Sequence, residues 1–265
     1  MPSSRTSPLG FGFEARLKAA AELIRASSRT LVLTGAGLSV ESGIAPFRRS
    51  AGGMAGLWER FDPMEYGTID AFLNDPARCW LMLRELGEAL GAARPNPGHV
   101  ALARLEGQGH ISRIITQNID GLHQEAGSRR VIEFHGNWRT MSCLACRSRV
   151  STDTVSLHHL PPLCPCGGVL KPDVIMIGEI IPASLLDAAF EEARSCACLL
   201  VVGTSAEMMP AATIPAAARE AGACIIEVNI EETPLSDGVV DLRLNGPAGL
   251  VLPRLAQQVD PGREN

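Results

Sequence analysis

The 265-residue chain has no excess of positive charge. Lys and Arg number 24 against 29 Asp and Glu, a formal charge of −5, so no overall field draws it to a polyanion and nucleic acid is not an expected partner. It has no apolar run near the ~18 to 20 residues that cross a bilayer, and its first residues lack a charged stretch followed by an apolar one. A cytoplasmic protein with no membrane partner is therefore expected. It also has no internal repeat and no long low-complexity tract, and at roughly 150 residues per domain its length suits one large domain or a domain with a sizeable insertion. What it does have is apolar material, 46% of residues, enough for an extensive core. Of its eight cysteines, Cys79, Cys196, Cys198 and Cys224 sit in apolar surroundings while the other four fall in two close pairs. That is core thiols plus metal spacing, as in a reducing compartment, rather than a disulfide framework.

Phe13, Leu17, Ala20 and Ile24 recur at helical spacing and predict a helix running to about Ser27. Leu31-Val32-Leu33-Thr34 is an unbroken apolar run that stops at Gly35, the pattern of a strand covered on both faces. Residues 111–116, 199–202 and 224–228 repeat the plan and break into Gln117-Asn118, Gly203-Thr204-Ser205 and Asn229. With helical stretches at 97–106 and 211–221, this alternation predicts an α/β fold, a Rossmann-like doubly wound parallel sheet whose strand ends line one cleft. Two segments break the alternation. Residues 49–93 read as helical, anchored by Trp58, Phe61, Phe72, Trp80, Leu83 and Leu86, and 137–173 is rich in Cys, Pro and Ser with little helical period. Together they are expected to form a smaller domain, a helical insertion and a zinc-binding module. The main domain would then comprise 13–48, 94–136 and 174–259, with 1–12 and 260–265 as flexible termini.

Gly35-Ala36-Gly37-Leu38-Ser39 follows a strand directly, and such glycines let backbone N–H groups approach a phosphate. The bland alternative is a tight connection. Without Gly-Lys-Ser/Thr this is no triphosphate loop, Val40 replaces the third glycine of the dehydrogenase fingerprint, and Glu41 rather than Gly at two places past Ser39 excludes a nucleophile elbow. Arg48 is either a bidentate clamp for a pyrophosphate or a solvated surface group. Gln117, Asn118 and Asp120, around Ile119, offer amides and a carboxylate that suit a carboxamide and hydroxyls, although Asp120-Gly121 also reads as an ordinary turn. His135 tops the apolar run 131–134 and should face the same cleft as Asn118, where an imidazole suits general-base work. His158 and His159 read as surface residues. Cys143-x2-Cys146-x17-Cys164-x-Cys166 can supply four thiolates to one tetrahedral Zn with no open position, a structural site; a redox pair is the alternative.

In this order the motifs resemble the sirtuin family of NAD-dependent protein deacylases over about residues 31–252. That family's first motif, Gly-Ala-Gly-x-Ser-x-x-Ser-Gly-Ile-Pro-Asp-Phe-Arg, is matched by residues 35–44 with Phe47 and Arg48. Its later motifs stand at 116–120, at His135-Gly136, at the four cysteines, at Gly178-Glu179, at 203–205 and at Val228-Asn229. The resemblance implies NAD as co-substrate, one structural Zn, and an acyl-lysine protein or peptide as partner. Gly35, Ala36, Gly37, Ser39, Phe47 and Arg48 would lie along the cofactor near its phosphates. Gln117, Asn118, Ile119 and Asp120 would hold nicotinamide and its ribose, and Gly203, Thr204, Ser205, Asn229 and Ala248 the adenosine half. His135 and Asn118 would be catalytic. The peptide would pair as an added strand with Val174, Ile175, Ile177, Gly178 and Glu179 and with residues after Ser205.

Deacetylation, with the acyl group passing to ADP-ribose and nicotinamide released, is the implied activity. Protein ADP-ribosyl transfer and a non-enzymatic, zinc-stabilised NAD sensor are the alternatives, and a dehydrogenase is disfavoured by Val40. Ala45-Pro46 replaces the family's Pro-Asp, and Ile177 replaces an aromatic. Leu81-x-x-Arg84 stands where a subgroup that removes acidic acyl groups carries Tyr-x-x-Arg, so no succinyl preference is expected.

Overall fold

The computed structural model describes residues 12–47, 56–236 and 238–261. Helix α1 (Phe13–Ala26) buries Phe13, Leu17, Ala20 and Ile24, the face its periodicity predicts. Strand β1 (Thr30–Thr34) is buried at all five positions because it is central. Beside it lie β2 (Arg113–Thr116) and β7 (Cys198–Val202). The outer strands are β3 (Val131–Glu133) beyond β2, then β8 (Cys224–Asn229) and β9 (Leu242–Asn245) beyond β7, all parallel. The chain winds outward from β1 through β3 and then returns to the other side of β1. This reversal leaves a crevice between the ends of β1 and β7, where doubly wound sheets bind ligands. Helices α1, α5 (Pro97–Gly107) and α9 (Ala248–Val259) cover one face, and α7 (Ala183–Ser195) and α8 (Ile214–Glu220) the other.

A third apolar core lies outside the large sheet. Short helices α2 (Pro63–Tyr66), α3 (Ile69–Asn74) and the longer α4 (Pro76–Ala92) pack against a three-stranded antiparallel sheet. That sheet has the order β5-β4-β6, from β4 (Gly136–Cys143), β5 (Arg149–Ser151) and β6 (Leu170–Val174). Phe72, Trp80, Leu83 and Leu86 meet Trp138, Met141, Cys143 and Leu170 there, and the Trp80 indole N–H donates to the Leu170 carbonyl at 3.0 Å.

The differences from the sequence reading are local. The first run reaches Thr30, 111–112 precede β2, and Phe134 leaves β3 while its N–H still bonds the Thr116 carbonyl. The 211–221 helix opens with a 3-10 turn, and β9 was not anticipated. The segment 137–173 carries strands that no hydrophobic alternation announced. Among the described residues no helix is long and apolar enough to cross a membrane.

Candidate functional site

Four strand-end loops converge at the crevice. After β1 the chain makes a 3-10 turn at Ala36–Leu38. The Gly35 N–H donates to the Val202 carbonyl at 3.0 Å and that of Gly37 to the Gly203 carbonyl at 2.8 Å. A Cβ on Gly35 would stand 2.8 Å from the Gly203 oxygen, and one on Gly203, whose φ is +59°, 2.5 Å from the Leu38 nitrogen. Only glycine permits this approach of the loops after β1 and β7. Across it, Gln117 Nε2 donates to Thr204 Oγ1 at 2.9 Å and Asn229 Nδ2 to the Thr204 carbonyl at 2.9 Å. Asn118 Nδ2 donates to the Gly35 carbonyl at 3.1 Å and to Ser39 Oγ at 3.0 Å, and Ser39 Oγ donates to Asp120 Oδ2 at 2.7 Å. Burial pushes the Asp120 carboxyl up, against the hydrogen bond from Ser39 and the N–H of Leu122.

His135 joins this group between β3 and β4. Its Nδ1 lies 3.1 Å from the Gln117 carbonyl, which can only accept, so the proton sits on Nδ1 and Nε2 keeps a free lone pair. Burial holds the imidazole below its ordinary pKa, with the Gln117 carbonyl working the other way. His135 is therefore neutral at pH 7, the form a general base requires.

The remaining expected residues are less tightly gathered. The Phe47 ring is half exposed and stacks on Trp58 at 5.1 Å between centroids. Arg48 lies outside the described residues. Ile119 accepts the Trp138 N–H through its carbonyl, and Ser205 is exposed. Ala248 is buried in the first turn of α9 and joins none of the hydrogen bonds above. Pro46 offers a carbonyl to the Leu57 N–H and no donor of its own. Leu81 is exposed, and Arg84 lines a separate surface cavity with Glu88 and residues 155–158.

The segment expected to pair with a peptide follows β6 and is tied down. Ile175 N–H donates to the His135 carbonyl at 2.9 Å, Ile177 N–H to Gly67 at 3.0 Å, and Ile69 N–H to Ile177 at 2.9 Å. Ile177 N–H is thus already engaged by the helical region rather than open to an added strand. The carboxylate of Glu179 accepts the Met176 N–H at 3.0 Å and pairs at 2.9 Å with the buried Lys171 ammonium, which also donates to the Val174 carbonyl at 2.8 Å. Beside this segment lies a cavity of about 520 Å³ lined by Glu133, Lys171, Asp173, Ile175 and Glu179. Gly35, Gln117, Asn118, Asp120, His135 and Thr204 do not line it. The candidate site is placed at the strand ends because the converging polar groups are there.

The sulfur atoms of Cys143, Cys146, Cys164 and Cys166 lie within 4.8 Å of one another. Cys143 and Cys166 are 3.5 Å apart and Cys146 and Cys164 3.7 Å. A tetrahedron with Zn–S bonds of ~2.3 Å has edges of about 3.8 Å, so the donor set fits zinc and leaves no fifth position for a substrate.

Sequence reasoning missed the layer beneath these loops. Thr34 and Thr116, opposite each other in the β1–β2 register, bond through their hydroxyls at 2.9 Å, and Thr116 Oγ1 accepts the Asn118 N–H at 3.0 Å. Asn96 Nδ2 donates to the Leu38 carbonyl at 2.7 Å and to Ser42 Oγ at 3.0 Å, holding the glycine loop from below. Its signal was present: Asn96-Pro97 is a helix start, a capping amide followed by proline at the first helical position.

Residues 35–210 match the family described as the Sir2 family. The NAD-dependent protein deacylase 2 of Pyrobaculum aerophilum is 46% identical over 241 residues, 90% of this chain and 94% of that protein. A solved point mutant of a Sir2 homologue in complex with ADP-ribose superposes with a TM-score of 0.86 at 38% identity, covering 92% of this chain and 96% of its own. A Sir2 mutant structure with a deacetylated peptide and 3′-O-acetyl-ADP-ribose gives 0.86 at 32% identity, covering 91% and 98%.

Proposed function

The chain belongs to the Sir2 family, and from that premise we propose that it is an NAD-dependent protein lysine deacylase, deacetylation being its main activity. The observation that carries this reading is the chain of contacts from Gly35 through Asn118, Ser39 and Asp120, joined to His135 through Gln117. It sets a carboxamide, a carboxylate and a neutral imidazole at one crevice. Relatives named for NAD-dependent deacylation, and neighbours solved with ADP-ribose and with a deacetylated peptide, support the substrates.

In this reading NAD lies across the strand ends. The backbone of Gly35, Ala36 and Gly37, with Arg48, faces the phosphates, and Phe47 and Ser39 flank the path to the nicotinamide. Gln117, Asn118, Ile119 and Asp120 hold the carboxamide and ribose; Gly203, Thr204, Ser205, Asn229 and Ala248 surround the adenosine. The acyl amide oxygen attacks C1′ of the nicotinamide ribose, breaking the glycosidic bond and releasing nicotinamide. His135 Nε2 then takes a proton from a ribose hydroxyl, so that the 2′-oxygen attacks the acyl carbon. The lysine amine leaves and one water adds to the acyl carbon, opening its bond to the 1′-oxygen, so that free lysine and O-acyl-ADP-ribose result. The peptide lies against Val174, Ile175, Ile177, Gly178 and Glu179. Cys143, Cys146, Cys164 and Cys166 hold one zinc that supplies folding energy to the small domain and takes no part in the reaction. We assign 13–48, 94–136 and 174–259 to the NAD-binding domain and the two insertions to the small one, in a cytoplasmic protein.

The test is nicotinamide release from NAD with and without acetyl-, succinyl- and long-chain acyl-lysine peptides. Release that depends on an acyl peptide, greatest for acetyl, is expected. Peptide-independent release would point to hydrolase or ADP-ribosyl chemistry, and NAD binding without turnover to a sensor.

A further inference from the structure

A closed ring of hydrogen bonds runs under the loop 117–121. Asp120 Oδ1 accepts the Leu122 N–H at 2.9 Å and so starts the single turn α6 (Leu122–Glu125), which folds back beneath the strand ends. That turn brings His123, 1% exposed, to 2.9 Å from Thr34 Oγ1 through its Nε2. Thr34 donates to Thr116, Thr116 accepts the Asn118 N–H, Asn118 reaches Ser39, and Ser39 returns to Asp120. Since the Thr34 hydroxyl hydrogen is spent on Thr116, Nε2 of His123 must be the donor, which fixes the tautomer and leaves Nδ1 without a partner. On the far side the ring of His99 packs edge-on at 5.2 Å, and its Nδ1 accepts the Asn96 N–H at 3.3 Å.

We propose that His123 is a positioning residue: through Thr34 and Thr116 it clamps the loop that presents Gln117, Asn118 and Asp120, and thereby sets the affinity for the nicotinamide half of NAD. The loop is held at its start by Thr116 on the Asn118 N–H and at its end by His123 on Thr34. With the second clasp open, Asn118 keeps Thr116, Gly35 and Ser39, but the Asp120 end of the loop is held only by Ser39 and by a Leu122 turn no longer tied to β1. A merely structural role is badly filled by the imidazole. It leaves one ring nitrogen unsatisfied, which a hydrocarbon ring would not.

The inference rests on the NAD reading above, so the measurement is NAD affinity by titration calorimetry, which needs no turnover; turnover of the parent protein tests that reading separately. His123→Phe keeps a ring and orphans no donor, because the Thr34 hydroxyl still donates to Thr116. His123→Gln restores an amide N–H near the Nε2 position. The expected result is an NAD Kd raised about tenfold in His123→Phe, the scale of one lost hydrogen bond. His123→Gln should stay within about threefold of the parent, and acyl-peptide KM and the thermal midpoint at pH 7.5 should be unchanged in both. An unchanged NAD Kd in His123→Phe overturns the proposal. So does a loss of NAD affinity in both variants in step with a fallen midpoint, which would mark a general packing role. Should His123→Phe not fold, Thr34→Val, the same shape without the hydroxyl, is read by the same criteria.

Discussion

Gly203 shows how much the site demands of single positions. With φ at +59° and a backbone nitrogen 2.5 Å from where a Cβ would sit, Gly203→Ala cannot be absorbed by a side-chain rotation. The loops after β1 and β7 must part. We expect a stability loss of about 2 kcal/mol, from the left-handed backbone plus overpacking, and weaker NAD binding, read by urea unfolding and calorimetry. His135 makes the opposite kind of demand, chemical rather than steric. Its Nδ1 is committed to Gln117, so removal of the ring leaves the fold intact and the base missing. His135→Ala should lose at least ~100-fold in turnover with the circular dichroism unchanged; near-parent turnover would refute the role. Both residues were readable in the sequence because each advertises itself within its own segment, a glycine or a histidine where an apolar run stops. Thr34, Thr116 and His123 were not, because their bonds join residues 82 and 89 positions apart and exist only once β1 and β2 are in register.

At the level of elements the large sheet was legible and the small one was not. Central strands such as β1 and β7 are continuous apolar runs because both faces are covered, and that pattern survives in one dimension. Strands β4 and β5 are partly exposed, β6 is broken by Pro172, and the sheet depends on partners outside itself: α4 through Trp80 and Leu170, and a metal through the four thiols. Only the cysteine spacing announced them. This dependence has a clean optical test, because the chain's three tryptophans, Trp58, Trp80 and Trp138, all belong to or pack on the third core. Zinc removal by a chelator, or Cys146→Ala, should shift tryptophan emission to the red while leaving most of the helical far-ultraviolet signal. The helices on the two faces of the large sheet do not rely on the metal. Unshifted emission in protein shown to be free of zinc would contradict a structural role for the site.

For the whole molecule, two buried imidazoles set a limit on acid stability. Burial pushes His99 down to about 4 and His123 down to about 3, the latter further lowered by its neighbour His99. Above pH ~6.5 both rings are neutral in the folded and the unfolded chain, so neither makes stability depend on pH there. As pH falls below that, the unfolded chain takes up two protons that the folded chain refuses, and stability drops by up to roughly 2.7 kcal/mol per pH unit until the folded values are approached. His135, also held down by burial, adds to the same slope. The urea midpoint should therefore be level above neutrality and fall steeply between pH 6 and pH 4. His123→Phe should remove about one proton from that slope and move the loss of structure to lower pH, even as it weakens NAD binding at pH 7.5. The opposite signs are what distinguish a histidine kept to hold a loop from one kept to hold the fold. An unchanged acid limb in His123→Phe would mean that this ring titrates in the folded protein much as it does in the unfolded chain.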